Sequence, residues 1–118
     1  MSDARNILIV EDEPLIAMML EDFLLSLGHE VRATCESVGE ALKAVQAADF
    51  DLAILDVNLR GEAVFPLADE LLARDLPVIL LTGYQQTDLP ERFRGTTHLP
   101  KPYDPQILAR ALDRFGAS

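Results

Sequence analysis

The chain has 118 residues, room for one ordinary domain, and 49% of them are hydrophobic, enough for a proper core and against a disordered resting state. Twenty acids against ten bases leave a net charge of -10, which repels nucleic-acid phosphates and anionic membrane surfaces, so neither is expected as a partner. A single cysteine, Cys35, permits no intrachain disulfide, and neither a signal peptide nor a bilayer-spanning run is read, so a cytoplasmic setting is expected.

Ile7-Leu8-Ile9-Val10 is a continuous apolar run, the pattern of a strand buried on both faces, and it ends in Glu11-Asp12. A helix is predicted after Glu13, with Pro14 in its first turn, to about Leu27; Gly28 is its stop. Its core face is expected to carry Ile16, Met19, Leu20, Phe23 and Leu27. Leu15, Met18 and Leu25 fall on roughly the opposite side, where polar residues belong. A second strand runs from Glu30 to Cys35, whose thiol reads as a small buried apolar group. Ser37-Val38-Gly39-Glu40 has the form of a capping box and opens a helix through Ala47. The third strand, Leu52-Ala53-Ile54-Leu55, runs into Asp56. A loop containing Gly61 then leads to a helix with Pro66 in its first turn, packing through Leu67 and Leu71. Pro77 introduces the fourth strand, Val78-Ile79-Leu80-Leu81, which ends in Thr82-Gly83. The next crossover, residues 85–94, holds Pro90 and only two large apolar side chains, Leu89 and Phe93, so a short or frayed helix is expected. A fifth strand, Thr96 to Pro100, ends at Lys101-Pro102. Asp104-Pro105 supplies N-cap and first turn for a last helix that packs through Leu108, Ala111, Leu112 and Phe115.

Strands alternating with helical segments predict an α/β fold, a doubly wound parallel sheet in a three-layer sandwich with a weak fourth helix. Parallel strands put their carboxyl ends on one edge, and ligands bind there, where the strand order reverses. That edge would hold Glu11, Asp12, Asp56, the Thr82 hydroxyl and the Lys101 ammonium. Carboxylates crowd together at neutral pH when a cation offsets their repulsion, so the pattern points to a divalent-metal site beside a nucleophilic aspartate.

These motifs, in this order and at these strand ends, make the chain resemble the receiver domain of two-component response regulators over essentially its whole length. The resemblance implies a five-stranded, flavodoxin-like sheet of order 2-1-3-4-5, with residues 1–118 as one receiver and no output domain. It implies phosphorylation of Asp56 by a histidine kinase or a histidine phosphotransfer protein. It also implies Mg²⁺ held by Asp12 and Asp56, with Glu11 nearby or acting through water and the backbone carbonyl of Asn58 as a further ligand. Lys101 would offer a point charge to the phosphoryl oxygens, and Thr82 a hydroxyl. Such a module is no enzyme beyond promoting its own phosphorylation and dephosphorylation; it signals through a downstream protein target or acts as a phosphate relay. The loop after Asp56 lacks the proline often found there. Thr82-Gly83-Tyr84 looks like a variant of stand-alone receivers, and His98 stands where the family often has a switching aromatic, so Tyr84 and His98 are the switch candidates.

Two alternatives stay open. Haloacid-dehalogenase-type phosphatases use the same residue types, but their nucleophile follows the first strand with a second aspartate two residues on; here Asp56 follows the third, and Asn58 stands two residues on. A phosphorylation-independent binding module is the other, against which the intact acid, threonine and lysine set argues. Leu15 and Met18, one turn apart and just beyond Glu11-Asp12, are the candidate docking residues for the phosphodonor.

Overall fold

Short β-branched and leucine runs that must bury both faces form the strands, and the computed structural model arranges five of them in one parallel sheet. It describes residues 5–59, 62–82, 89–93, 95–100 and 104–116. In chain order the strands are β1 (Asn6–Val10), β2 (Glu30–Cys35), β3 (Leu52–Asp56), β4 (Asn58–Leu59), β5 (Glu62–Ala63), β6 (Val78–Thr82) and β7 (His98–Pro100). The helices are α1 (Pro14–Ser26), α2 (Val38–Ala47), α3 (Phe65–Ala73) and α4 (Pro105–Gly116). The main sheet runs β2-β1-β3-β6-β7, the expected 2-1-3-4-5 order once β4 and β5 are set aside. Those two pair with each other, Asn58 with Ala63 and Leu59 with Glu62, so the predicted loop after Asp56 carries a small antiparallel ladder. Among the described residues no helix is long and apolar enough to cross a membrane.

Successive residues of the central strands go to opposite faces. Leu8, Val10, Ala53, Leu55, Val78 and Leu80 pack with Ala41 of α2 and with Leu67, Ala68 and Leu71 of α3. Ile7, Ile9, Leu52, Ile54, Ile79 and Leu81 pack with Leu20 and Leu24 of α1 and with Leu108, Ala111 and Leu112 of α4. This is the predicted three-layer sandwich. Each fully buried leucine or isoleucine contributes about 1.5–3 kcal/mol by leaving water.

The helix signals work as read, with two differences. Gly28, at φ +92°, closes α1 in a Schellman motif: His29 N–H donates to the Leu24 carbonyl and Gly28 N–H to that of Leu25. Ser37 Oγ accepts from Glu40 N–H at 3.2 Å. The Glu40 carboxylate reaches past Ser37 and accepts from Glu36 N–H at 2.9 Å, one residue beyond an ordinary capping box. Asp104 Oδ1 accepts from Gln106 N–H at 2.8 Å and starts α4. The core face of α1 is the second difference. It centres on Ala17, Leu20 and Leu24, with Ile16 and Phe23 at its margin. Met19 and Leu27, expected inside, are 53% and 42% exposed. Met19 lies about 100° round the helix from Leu20, and Leu27 is the C-cap, just past the last helical residue, where the helical face no longer sets its direction. In the fourth crossover, the described residues contain only a 3₁₀ turn, Glu91–Phe93, in place of a helix. Leu89 and Phe93, its two large apolar side chains, are both buried. Phe115 lies within α4, but its side chain falls outside the described residues.

Candidate functional site

Strand register places the reactive groups at one level. Val10 of β1 pairs with Leu55 of β3, and Asp56 pairs with Leu81 of β6, so Glu11, Asp56 and Thr82 end neighbouring strands within one residue of each other. Glu11 N–H donates to the Cys35 carbonyl at 2.9 Å, and Val57 N–H to the Leu81 carbonyl at 3.0 Å. The pairing therefore continues past the strand ends and holds the backbone beneath the site.

Glu11 and Asp56 are 1% and 2% exposed, and Asp12 is half-buried. One carboxylate oxygen from each of the three lies within 4.8 Å of the others. Glu11 Oε2 also accepts from Glu13 N–H at 3.1 Å, which fixes that carboxylate at the entrance to α1. Glu13 itself points to solvent, as expected of a helix-start acid. Opposed ligands on a hard octahedral cation stand about 4.2 Å apart, at about 2.1 Å each. An all-oxygen, all-anionic donor set of this span fits a hard divalent cation such as Mg²⁺.

Thr82, 2% exposed, turns its hydroxyl to the Leu99 carbonyl on β7 at 3.3 Å. No residue pattern announces that bond, because its acceptor is main chain. His98, half-buried, shares a 2.9 Å hydrogen bond between Nδ1 and the Thr96 carbonyl, the packed role expected of it. Asn58 has its backbone in β4; its side chain lies outside the described residues, as do Gly83, Tyr84, Lys101 and Pro102. Cys35 is buried, as read, and burial followed by the charge of Glu40 pushes its thiol up. Leu15, Met18 and Leu25 are 68%, 57% and 57% exposed, and Met19 joins them on the outer side of α1.

The comparisons agree with this geometry. The family model described as the response regulator receiver domain matches residues 7–113. The solution structure of SdrG from Sphingomonas melonis is 47% identical, with a TM-score of 0.85, and 98% of each chain is covered. A response regulator of Chloroflexus aurantiacus is 30% identical with the same TM-score of 0.85, covering 98% of this chain and all of its own. Among curated proteins, the phyllosphere-induced regulator PhyR of Methylorubrum extorquens is 37% identical over 94% of this chain but 43% of its own length. The regulatory protein PdtaR of Mycobacterium tuberculosis is 32% identical over 92% of this chain and 55% of its own length. The chain thus spans about half the length of the curated relatives it matches. With the sheet order, the acidic strand ends and these matches in agreement, the chain belongs to the response regulator receiver domain family.

Proposed function

We propose that Asp56 accepts a phosphoryl group from the phosphohistidine of a histidine kinase or a histidine phosphotransfer protein. The observation that carries this reading is the closure of Glu11, Asp12 and Asp56 within 4.8 Å beside the buried Thr82. In the transfer, an Asp56 carboxylate oxygen attacks phosphorus, a P–O bond forms, and the P–N bond breaks with the electron pair leaving on the imidazole. Such a transfer needs alignment and charge neutralisation more than covalent help from other side chains.

Receiver domains hold Mg²⁺ at an acidic pocket. Here Asp12 and Asp56 would bind it directly, Glu11 directly or through water, with the Asn58 carbonyl as a further ligand by resemblance. Bound there, Mg²⁺ would neutralise charge on the phosphoryl oxygens and on the carboxylates. Lys101 adds a cation to the same oxygens. The Thr82 hydroxyl has one proton to donate, now given to Leu99. To donate to a phosphoryl oxygen it must release that carbonyl, so phosphorylation at Asp56 changes a contact between β6 and β7.

The donor must bring its phosphohistidine to this edge. Leu15 and Met18, one helical turn apart and just beyond Glu11-Asp12, offer an apolar surface, and Met adapts to varied partners. The output is binding of a downstream protein target or onward relay of the phosphoryl group, and turnover is confined to the protein's own phosphorylation and dephosphorylation.

Intact-mass measurement after incubation with acetyl phosphate and Mg²⁺ tests the assignment. One phosphoryl group is expected on the wild type and none on Asp56→Asn; equal uptake by both would refute it. Leu15→Asp with Met18→Asp should cripple transfer from the phosphocarrier and spare transfer from acetyl phosphate. Equal losses with both donors would mean that the patch supports the fold instead of docking a partner.

A further inference from the structure

The short crossover between β6 and β7 is tied to α3 by contacts that the transfer chemistry does not use. Arg92 forms a two-pronged ion pair with Asp69, Nε to Oδ1 at 3.1 Å and Nη2 to Oδ2 at 2.9 Å. Its guanidinium carbon lies 4.7 Å from the centroid of the Phe93 ring. That ring stacks on Phe65, the first residue of α3, with centroids 5.2 Å apart and planes 28° apart. Phe93 is 1% exposed and belongs to the same packed cluster as Leu55, Leu59 and Val64, the chain on either side of Asp56. One knot of four side chains thus joins the segment that follows Asp56 to the segment that follows Thr82.

Under the phosphoacceptor reading, the chemistry of the site acts at the start of both segments. Asp56 gains a phosphoryl group and Thr82 exchanges the Leu99 carbonyl for it. The structure described is the arrangement in which Thr82 holds Leu99 and the knot is closed. We propose that the Arg92–Asp69–Phe65–Phe93 knot is a latch that favours the unphosphorylated arrangement. Opening it is linked to phosphoryl binding at Asp56, which frees the face of α3 beneath residues 89–93 to report the phosphorylated state. This rests on the phosphoacceptor reading above. Because linkage is reciprocal, weakening the latch must strengthen phosphoryl binding, by at most the factor that the latch contributes to the closed arrangement. The ion pair lies at the surface, so that factor is modest, roughly two- to fivefold.

The experiment is titration of the full chain with beryllofluoride at saturating Mg²⁺, followed by NMR. The wild type is compared with Arg92→Ala, with Asp69→Ala and with the double variant. Arg74→Ala is the control: Arg74 makes a similar exposed ion pair with Glu70, at 3.0 Å, but within α3 and its C-cap. The latch predicts tighter beryllofluoride binding in Arg92→Ala and Asp69→Ala, by the factor above. The double variant should bind no tighter than either single one, and Arg74→Ala should match the wild type. Unchanged affinity in Arg92→Ala, or the same gain in Arg74→Ala, overturns the latch and leaves the phosphoacceptor reading standing. A wild type that binds no beryllofluoride overturns both.

Discussion

Replacing Asp12 with asparagine should stabilise the metal-free protein and, in the same step, remove its response to Mg²⁺. Oxygens of Glu11, Asp12 and Asp56 lie within 4.8 Å of one another. At that distance two like charges repel by about 3.5 kcal/mol at an effective dielectric near 20, and Asp12 takes part in two of the three pairs. Asp12 is half-exposed, so solvent and neighbouring charges screen most of this. A net gain of about 1–2 kcal/mol is expected, which in a domain of this size raises Tm by roughly 3–8 °C. Asparagine has nearly the same shape, so packing should not change. In the wild type, Mg²⁺ should give the corresponding relief by mass action, about 2.7 kcal/mol at a hundred times its Kd. The assay is thermal melting of both proteins in EDTA and across a Mg²⁺ series at constant ionic strength. The wild type should climb with Mg²⁺, while the variant starts higher and stays flat. A variant that melts below the metal-free wild type, or that still climbs with Mg²⁺, refutes the electrostatic account of the site.

Other outcomes follow from single positions. Leu20→Ala should cost about 2–5 kcal/mol in denaturant unfolding because Leu20 is fully buried, whereas Leu15→Ala should stay within about 0.5 kcal/mol. Asp75 follows α3 with φ +62°, so Asp75→Gly should raise stability by about 0.5–1 kcal/mol; a loss would show that its side chain contributes more than its backbone costs. His29 accepts from Arg5 N–H through Nδ1 at 3.3 Å, and burial, then Arg5, hold its pKa below 6.5 against the opposing pull of Asp113. The native state therefore binds fewer protons than the unfolded one. The contribution of His29 is present above pH 6.5 and lost as pH falls towards the lowered native value, so His29→Gln should flatten that part of the stability profile.

The strands were legible because a strand buried on both faces reads as an unbroken apolar run: β1 ends with its run at Val10, and β3 and β6 extend one residue past theirs, to Asp56 and Thr82. That Glu11, Asp12, Asp56 and Thr82 share one edge was legible for the same reason, since runs that end together in a parallel sheet deliver their next residues there. The face of α1 was only half legible. Leu15, Met18, Met19, Leu20, Phe23, Leu24 and Leu25 surround most of that helix, and periodicity cannot say which of two apolar stripes meets the sheet when both exist. The ladder of β4 with β5 and the Thr82–Leu99 bond were beyond reach because main-chain partners leave no mark in side-chain pattern. The Arg92–Asp69 pair joins residues 23 apart, and nothing local distinguishes either from other surface charges.

The two-sided core also explains why the site can be held under electrostatic load. Neighbouring residues of β1, β3 and β6 feed opposite clusters, so slipping any of these strands by one residue would exchange all its core side chains between the α1/α4 layer and the α2/α3 layer. The packing free energy of both layers thus opposes any slip, and that same register sets Glu11 beside Asp56 and Asp56 beside Thr82. Repulsion among the carboxylates cannot relax by sliding the strands. A bound cation offsets it without disturbing the strands. Phe65, at the start of α3, stacks on Phe93, and Asp69 within α3 pairs with Arg92, so these contacts join α3 to residues 91–93 of the crossover. If Asp56 is the phosphoacceptor, a sheet whose register cannot slip would direct the charge change there away from the strands and towards α3, where another protein can detect it.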